Sequence, residues 1–378
     1  MHSDNELSTK IIENNVLSYF EKYPLNSEIQ SYYLGKQILV TGGAGAIGSN
    51  LIVALSNLVG TNGHIYVLDN LSAIKFPEPF NVRSADNLSF INGDIRDENQ
   101  LKRIFANPIQ IVFHLAAFFA NQNSVDYPEH SIDVDIIGIN KLLQFSSMTQ
   151  VERFIYASSG CAIYGSYPKL PLSEDYISMH LTTPYQINKM TGEMYCNYYF
   201  HHFGLPTVNC RFFNSYGPGE VPGQYRNVIP NFLYWGMKGD ALPITGDGNE
   251  TRDFTFVVDL VQGLIKAGFN EKAIGENFNL AAGREIKIKD MAELVLQATG
   301  SKSGIEYRER RKWDTKPRLL ASIDKAQNLI EYRPQISFEE GMTANVEWFR
   351  SQWDNIERLS DFKPGRSSAL TSSNGDKK

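Results

Sequence analysis

Ile38-Leu39-Val40-Thr41-Gly42-Gly43-Ala44-Gly45-Ala46-Ile47-Gly48 passes from an apolar run into a helical pattern through a glycine turn. In such a turn Gly42 permits the tight bend, Gly45 lets backbone approach a pyrophosphate, and Gly48 lets helix and strand pack closely. The first helical turn, with Ala46 and Ile47, offers free N–H groups and the positive end of the helix dipole to phosphates. A merely structural turn would look the same, so the surroundings must be consulted. The next strand-like run, His64–Asp69, ends in a carboxylate and is followed by Asn70 and Ser72. Asp69 there can accept both ribose hydroxyls of NAD and would repel the 2′-phosphate of NADP. A loop cap is the plainer alternative for Asp69.

Further strand-like runs lie at Leu88–Gly93, Ile111–Ala116, Phe154–Ser158 and Thr207–Phe212, with helical segments at Ile47–Leu58, Ser131–Met148 and Tyr185–Phe203. This alternation predicts an α/β fold, a Rossmann-type doubly wound parallel sheet with helices on both faces. Asp94-Ile95, after the third strand, are candidates to flank an adenine ring. Ala116 and Ala117, after the fourth, are small enough to let a cofactor lie against the backbone. His114 reads as a buried, hydrogen-bonded histidine. The expected layout is an N-terminal helical extension over 1–36, a cofactor-binding domain over 37–217 with a return near 255–282, and a smaller C-terminal α/β substrate-binding domain from 218–254 and 283–360. One amphipathic helix is expected in the extension, packed on the domain or on a partner. Residues 361–378 are Ser/Gly/Lys-rich and read as a disordered tail.

Composition sets outer bounds. The 378 residues are 42% hydrophobic and 21% charged, with a net charge of −6, which suits a globular enzyme and gives no basic surface for nucleic acid. Cys161, Cys196 and Cys210 fit neither a disulfide framework nor a metal-ligand spacing, so a reducing, cytoplasmic setting is expected. No run approaches the roughly 20 apolar residues that span a bilayer.

Pro184-Tyr185-Gln186-Ile187-Asn188-Lys189 opens a helix, and the i, i+4 spacing puts Tyr185 and Lys189 on one face. A tyrosine of pKa about 10 is a poor base at neutral pH. A lysine one turn away, helped by a nicotinamide charge, is expected to lower it by about three units, roughly 4 kcal/mol. Phe154-Ile155-Tyr156-Ala157-Ser158-Ser159 ends in two hydroxyls at the C-terminal edge of the sheet. Ser159 is better placed to hydrogen-bond the reacting oxygen, and a turn cap is the rival reading.

Taken together, these segments resemble the extended short-chain dehydrogenase/reductase family. Further matches are Tyr164-Gly165, Arg211-Phe212-Phe213-Asn214-Ser215-Tyr216-Gly217-Pro218-Gly219, Asn227-Val228-Ile229-Pro230 and Gly246-Asp247-Gly248 followed by Thr251-Arg252-Asp253-Phe254. They resemble its NAD-dependent nucleotide-sugar epimerase/dehydratase branch, UDP-glucose 4-epimerase-like, over about residues 37 to 350. The resemblance implies bound NAD and a nucleotide-diphosphate sugar. Tyr185 would take a sugar hydroxyl proton while hydride passes to the nicotinamide, and Lys189 would hold the nicotinamide ribose. Asn214 and Arg252 fall where the family grips the diphosphate, and Val228 where it lines the base. Arg318 would reach the phosphates, with Arg308-Glu309-Arg310-Arg311-Lys312 as rivals, and Ser124 would stand beside the sugar. A homodimer through a four-helix bundle is implied, built from the Tyr/Lys helix and segment 131–148. There Ile132, Ile136, Ile139 and Leu143 form one stripe, with Val134 and Ile137 elsewhere.

The chain departs from the family in several places. The family's active-site Ser or Thr stands four residues before the Tyr-Gly, which here is Gly160. The dehydratases' Asp-Glu pair is replaced by Cys161-Ala162, so the simplest chemistry left is epimerisation at C4, with Cys161 a candidate to move a proton. Asp135 stands where the family has Asn, and Phe118 and Phe119 occupy positions of smaller or polar residues. Three readings stay open: a 4-epimerase, another nucleotide-sugar enzyme of the same fold, and a non-catalytic NAD-binding sensor.

Overall fold

A computed structural model describes residues 2–73, 81–166, 169–310 and 316–360. Its centre is a seven-stranded parallel sheet of β1 (Gln37–Thr41), β2 (His64–Asp69), β3 (Leu88–Asn92), β4 (Ile111–His114), β5 (Arg153–Ser159), β6 (Thr207–Phe212) and β7 (Asn277–Leu280). Their order across the sheet is β7-β6-β5-β4-β1-β2-β3. The central strands β4 and β5 are buried along their whole length, as the unbroken apolar runs require when helices cover both faces. The chain winds outward from β1 to β3, returns, and winds the other way from β4. That reversal opens a crevice between β1 and β4 at the carboxyl ends of the strands. The predicted strands at 88–93 and 111–116 stop earlier, at Asn92 and His114, because the chain there leaves the sheet to line this crevice. Near the predicted return, β7 pairs in parallel with β6, Asn277 opposite Asn209.

The main helices are α1 (His2–Lys22), α2 (Ser27–Tyr33), α3 (Ala46–Val59), α4 (Ile139–Met148), α5 (Pro184–Phe203), α6 (Val257–Phe269) and α7 (Phe338–Ser351). Where one N-terminal helix was expected there are two. Pro24 cannot continue the first, and the Asn26 side chain accepts the Ile29 N–H to start the second. Both pack on this chain. Ile12 and Val16 are fully buried, the Tyr19 hydroxyl donates to Asp259 at 2.7 Å, and Trp348 Nε1 donates to Ser8 Oγ at 2.9 Å. Helix α5 starts at Thr183, whose hydroxyl accepts the Gln186 N–H, with Pro184 in its first turn. Segment Asp133–Gly138, before α4, is a π-helical turn. Its wider turn shifts the phase of the helix, so the expected stripe is broken: Ile139 and Leu143 are buried while Ile132 is exposed.

Residues after Gly217, apart from α6 and β7, build the smaller C-terminal part, with short pairings of Leu242–Thr245 against Ile305–Arg308 and of Thr251–Arg252 against Ile286–Lys287. Asp253 ties it to the sheet edge. Its fully buried carboxylate accepts the N–H groups of Ala282 at 3.0 Å, Gly283 at 3.1 Å and Ala321 at 3.2 Å. The stretch 361–378 lies outside the described residues. No helix among the described residues is long and apolar enough to cross a membrane. Removing the carboxylate as Asp253→Ala takes the acceptor from three N–H groups, of which that of Ala321 is buried. Chemical denaturation should show a loss of about 3 kcal/mol, and an unchanged midpoint would refute this account of the tie.

Candidate active site

A cleft of about 510 Å³ lies along the carboxyl ends of the strands, between the sheet and the C-terminal part. All the residues read from the sequence as cofactor candidates line it: Gly42, Gly45, Ala46, Ile47, Gly48, Asp69, Asn70, Ser72, Asp94, Ile95, Ala116, Ala117, Tyr185 and Lys189. The glycines differ in what forces them. A Cβ on Gly42 would sit 2.6 Å from the Ala116 nitrogen, and one on Gly48 would sit 2.3 Å from the Gly42 carbonyl oxygen. At Gly45 a Cβ would meet only the Gly42 oxygen, at 3.4 Å, so its other side is open to the cleft. Gly45 is also the N-cap of α3 and contributes no side chain, which leaves the first N–H groups of the helix facing the cleft. Asp69 braces this turn, accepting the Ala44 N–H at 2.9 Å and the Leu71 N–H at 2.8 Å. Each carboxylate oxygen keeps a further lone pair for a ligand hydroxyl. Asp94 is taken up by Arg96 through Nε and Nη2, both at 2.8 Å, and by Asn70 Nδ2 at 2.9 Å. The guanidinium holds Asp94 well below the usual carboxylate range, and Asp94 in turn fixes Asn70.

At the other end of the cleft stand Tyr185, Lys189 and Ser159. Lys189 Nζ donates to the Ala157 carbonyl at 2.7 Å and lies 5.8 Å from the centre of the Tyr185 ring. The Ser159 side chain stands close enough to Tyr185 to favour its phenolate. Gly160 cannot take over that part, because a Cβ there would sit 2.0 Å from the Phe213 ring. A side chain at the family's position is thus excluded, and the nearest hydroxyl along the chain stands one position earlier, on Ser159. Ser158 points elsewhere and donates to buried Glu193 at 2.5 Å. His114 is buried, shares a 2.7 Å hydrogen bond with Thr41 Oγ1, and burial pushes its pKa down to about 3, which keeps it neutral.

The protein's own groups give no net lowering of the Tyr185 pKa, because burial and Asp135 outweigh the Ser159 hydroxyl. Burial, then the Asp135 carboxylate, hold the phenol above its ordinary value, while burial pushes Lys189 down and Asp135 pulls it back up. Asp135 sits on the π-helical turn, buried, and accepts the Phe118 N–H at 2.7 Å and the Ser131 hydroxyl at 3.1 Å. Cys161 lines the cleft half-buried, and burial raises its thiol, so it stays protonated.

The substrate candidates divide. Asn214, Val228 and Arg252 line the cleft. Ser124 does not. It is buried and accepts the Tyr185 N–H at 3.0 Å, which positions the start of α5. Arg318 is also elsewhere, exposed and paired with Glu285, because strand contact between 251–252 and 286–287 brings that carboxylate to it. Lys316 lines the cleft instead and donates to the Cys161 carbonyl at 2.6 Å. Lys316 was not foreseen from the sequence, where the rival run was Arg308–Lys312, of which Arg311 and Lys312 lie outside the described residues. Tyr225 and Arg226 also line the cleft and had no motif to mark them.

The model of the NAD dependent epimerase/dehydratase family matches residues 38–281. The chain belongs to this family. A solved structure described as epimerase Mth375 from Methanothermobacter thermautotrophicus is 49% identical, with a TM-score of 0.85, covering 89% of this chain and 98% of that one. UDP-glucose 4-epimerase of Mycolicibacterium smegmatis is 30% identical over 83% of this chain and 98% of its own. UDP-N-acetyl-alpha-D-glucosaminuronate decarboxylase of Bacillus cytotoxicus is 31% identical over 83% of this chain and 98% of its own. The cofactor is NAD. The open face at Gly45, the uncapped N–H groups of α3 and the Asp69 carboxylate fit its pyrophosphate and ribose.

Asp135 raises the pKa of both members of the pair. If the acid limb of a pH profile reports Tyr185 and the alkaline limb Lys189, Asp135→Asn should move both limbs to lower pH. A kcat/KM profile superimposable on that of the unaltered protein would contradict this.

Proposed function

We propose that the protein is a nucleotide-sugar 4-epimerase. The observation that carries this reading is the contact of Tyr185 with Ser159 beside Lys189, in an NAD cleft where Cys161-Ala162 follows Gly160 and places no carboxylate. Tyr185 Oη takes the proton of the C4 hydroxyl and Ser159 Oγ orients that oxygen. Lys189 keeps positive charge beside the phenolate that results. NAD, when bound, supplies the reversible acceptor for the hydride that leaves C4, and the positive charge of its oxidised ring favours the phenolate. The C4 ketone turns over in the cleft, the hydride would return to its opposite face, and Tyr185 gives its proton back to the C4 oxygen, which leaves C4 inverted. Atoms and electrons balance, and no co-reactant is consumed. Water loss would need a second acid–base pair, and the Cys161 thiol beside Tyr185 is held protonated. Arg252, Lys316 and Asn214 are proposed to hold the diphosphate and Val228 to lie against the base. A non-catalytic sensor would have no use for Tyr185 and Lys189 buried together at the end of the cleft.

The same reading includes a homodimer. Ile187, Met194, Tyr198 and Phe203 on α5 are exposed, as are Ile132, Ile137 and Met148 on the neighbouring segment. An apolar surface of this extent on two adjacent helices suits a bundle with a second copy. Light scattering should give the mass of two chains, and a mass of one chain would refute the pairing.

Incubation with UDP-, GDP-, CDP- and dTDP-sugars, with products separated by chromatography, should show interconversion of C4 epimers without net NADH. Tyr185→Phe should lower turnover by about 10²–10⁴-fold. Full turnover in that variant would sink the mechanism, and a dehydrated or decarboxylated product would replace the reading with another.

A further inference from the structure

Tyr225, Arg226 and Asn227 of the segment 222–227 line the cleft, and the segment is held on both banks. On the adenosine bank, Arg226 Nη2 donates to the Ala73 carbonyl, just beyond Asp69, Asn70 and Ser72. On the opposite bank, the Tyr225 hydroxyl donates at 2.8 Å to Oδ2 of Asp126. Asp126 ends the short helix Asn121–Asp126, whose Ser124 fixes the start of α5 beside Tyr185. Between these two latches the segment is anchored from behind. The Gly223 N–H donates to buried Asn231 Oδ1 at 2.9 Å, Asn231 Nδ2 returns a bond to the Gly223 carbonyl at 3.1 Å, and the Arg226 N–H closes a turn on that carbonyl at 3.1 Å.

The charges under the segment suit a ligand better than they suit each other. Glu220 takes one bond from Asn227 Nδ2, at 2.6 Å, while its other carboxylate oxygen is buried without a partner. The Arg226 guanidinium is attracted by the carboxylates of both Glu220 and Asp69. Asp69 is the proposed ribose carboxylate, so the guanidinium stands at the edge of the adenosine site. The anchor at Asn231 is buried, whereas both latches are exposed. A segment built this way can open at its tip while its base stays in place.

We propose that residues 222–227 form a strap over the NAD cleft, latched by Arg226 to Ala73 and by Tyr225 to Asp126, and that NAD leaves only when the strap opens. The inference rests on NAD binding alone and holds whether or not the enzyme inverts C4. It suits a chemistry that restores the cofactor in every cycle, because such an enzyme has no need to release it.

The test is the dissociation rate of NAD from the full chain, loaded with radiolabelled NAD and chased with excess unlabelled NAD. Arg226→Ala should speed release about tenfold or more, Arg226→Lys should recover part of that loss, and Tyr225→Phe should add its own acceleration in the double variant. Tyr225→Phe removes one exposed oxygen and keeps the test open if Arg226→Ala does not fold. A change of less than threefold in the folded double variant, or in Tyr225→Phe where that is the only folded variant, overturns the strap. Epimerase activity is not the readout, so loss of the 4-epimerase reading would leave this result standing.

Discussion

At the switch between β1 and β4 the backbones at Gly42 and Ala116 come so close that a Cβ on Gly42 would lie 2.6 Å from the Ala116 nitrogen. This approach follows from the reversal of winding direction, because neighbouring strands here feed connections that leave in opposite directions. The same reversal leaves the strand ends uncovered. The α3 N-terminus, the Asp69 carboxylate and the small residues after β4 all face that opening. A larger residue at position 42 would force the two strand exits apart and misplace both halves of the cofactor site at once.

The reacting end of the cleft depends on a different constraint. Tyr185 and Lys189 are buried, and burial penalises the charged form of each. The protein offsets the cost for the lysine with the Ala157 carbonyl and the Asp135 carboxylate, and the same carboxylate works against the phenolate. The phenol is thus kept protonated until a positive charge enters the cleft. On the proposed mechanism this arrangement would couple Tyr185 to the oxidised cofactor, and it would give a physical role to a carboxylate at a position where the family has an amide.

Support for the pair comes from residues with no motif of their own. Ser124 accepts the Tyr185 N–H, Thr183 caps α5, and its hydroxyl reaches Asn121 Oδ1 at 2.7 Å. The Ser124 and Asn121 bonds link the loop after β4 to the start of the helix that carries the pair. The N-terminal helices make a comparable link on the other side, where Ser8 Oγ donates to Asn81 and Asn81 Nδ2 donates to the Gly219 carbonyl.

The sequence alone determined what depends on local order and spacing. The apolar runs of β1 to β6, the glycine turn, the i, i+4 placement of Tyr185 and Lys189, and Asp69 at a strand end are properties of neighbours along the chain, and the strand and helix periods make them legible. Tertiary structure decided what depends on residues far apart. Phe213 fills the space beside Gly160, so no side chain fits there and the nearest hydroxyl along the chain is that of Ser159. Glu285 draws Arg318 out of reach while Lys316 faces the cleft, although two positions separate them. The π-helical turn at 133–138 buries Asp135 and turns Ile132 outward, which a strict helical period cannot foresee. In each case the outcome was set by packing against a distant side chain, and the spacing of residues along one element carries no record of that contact.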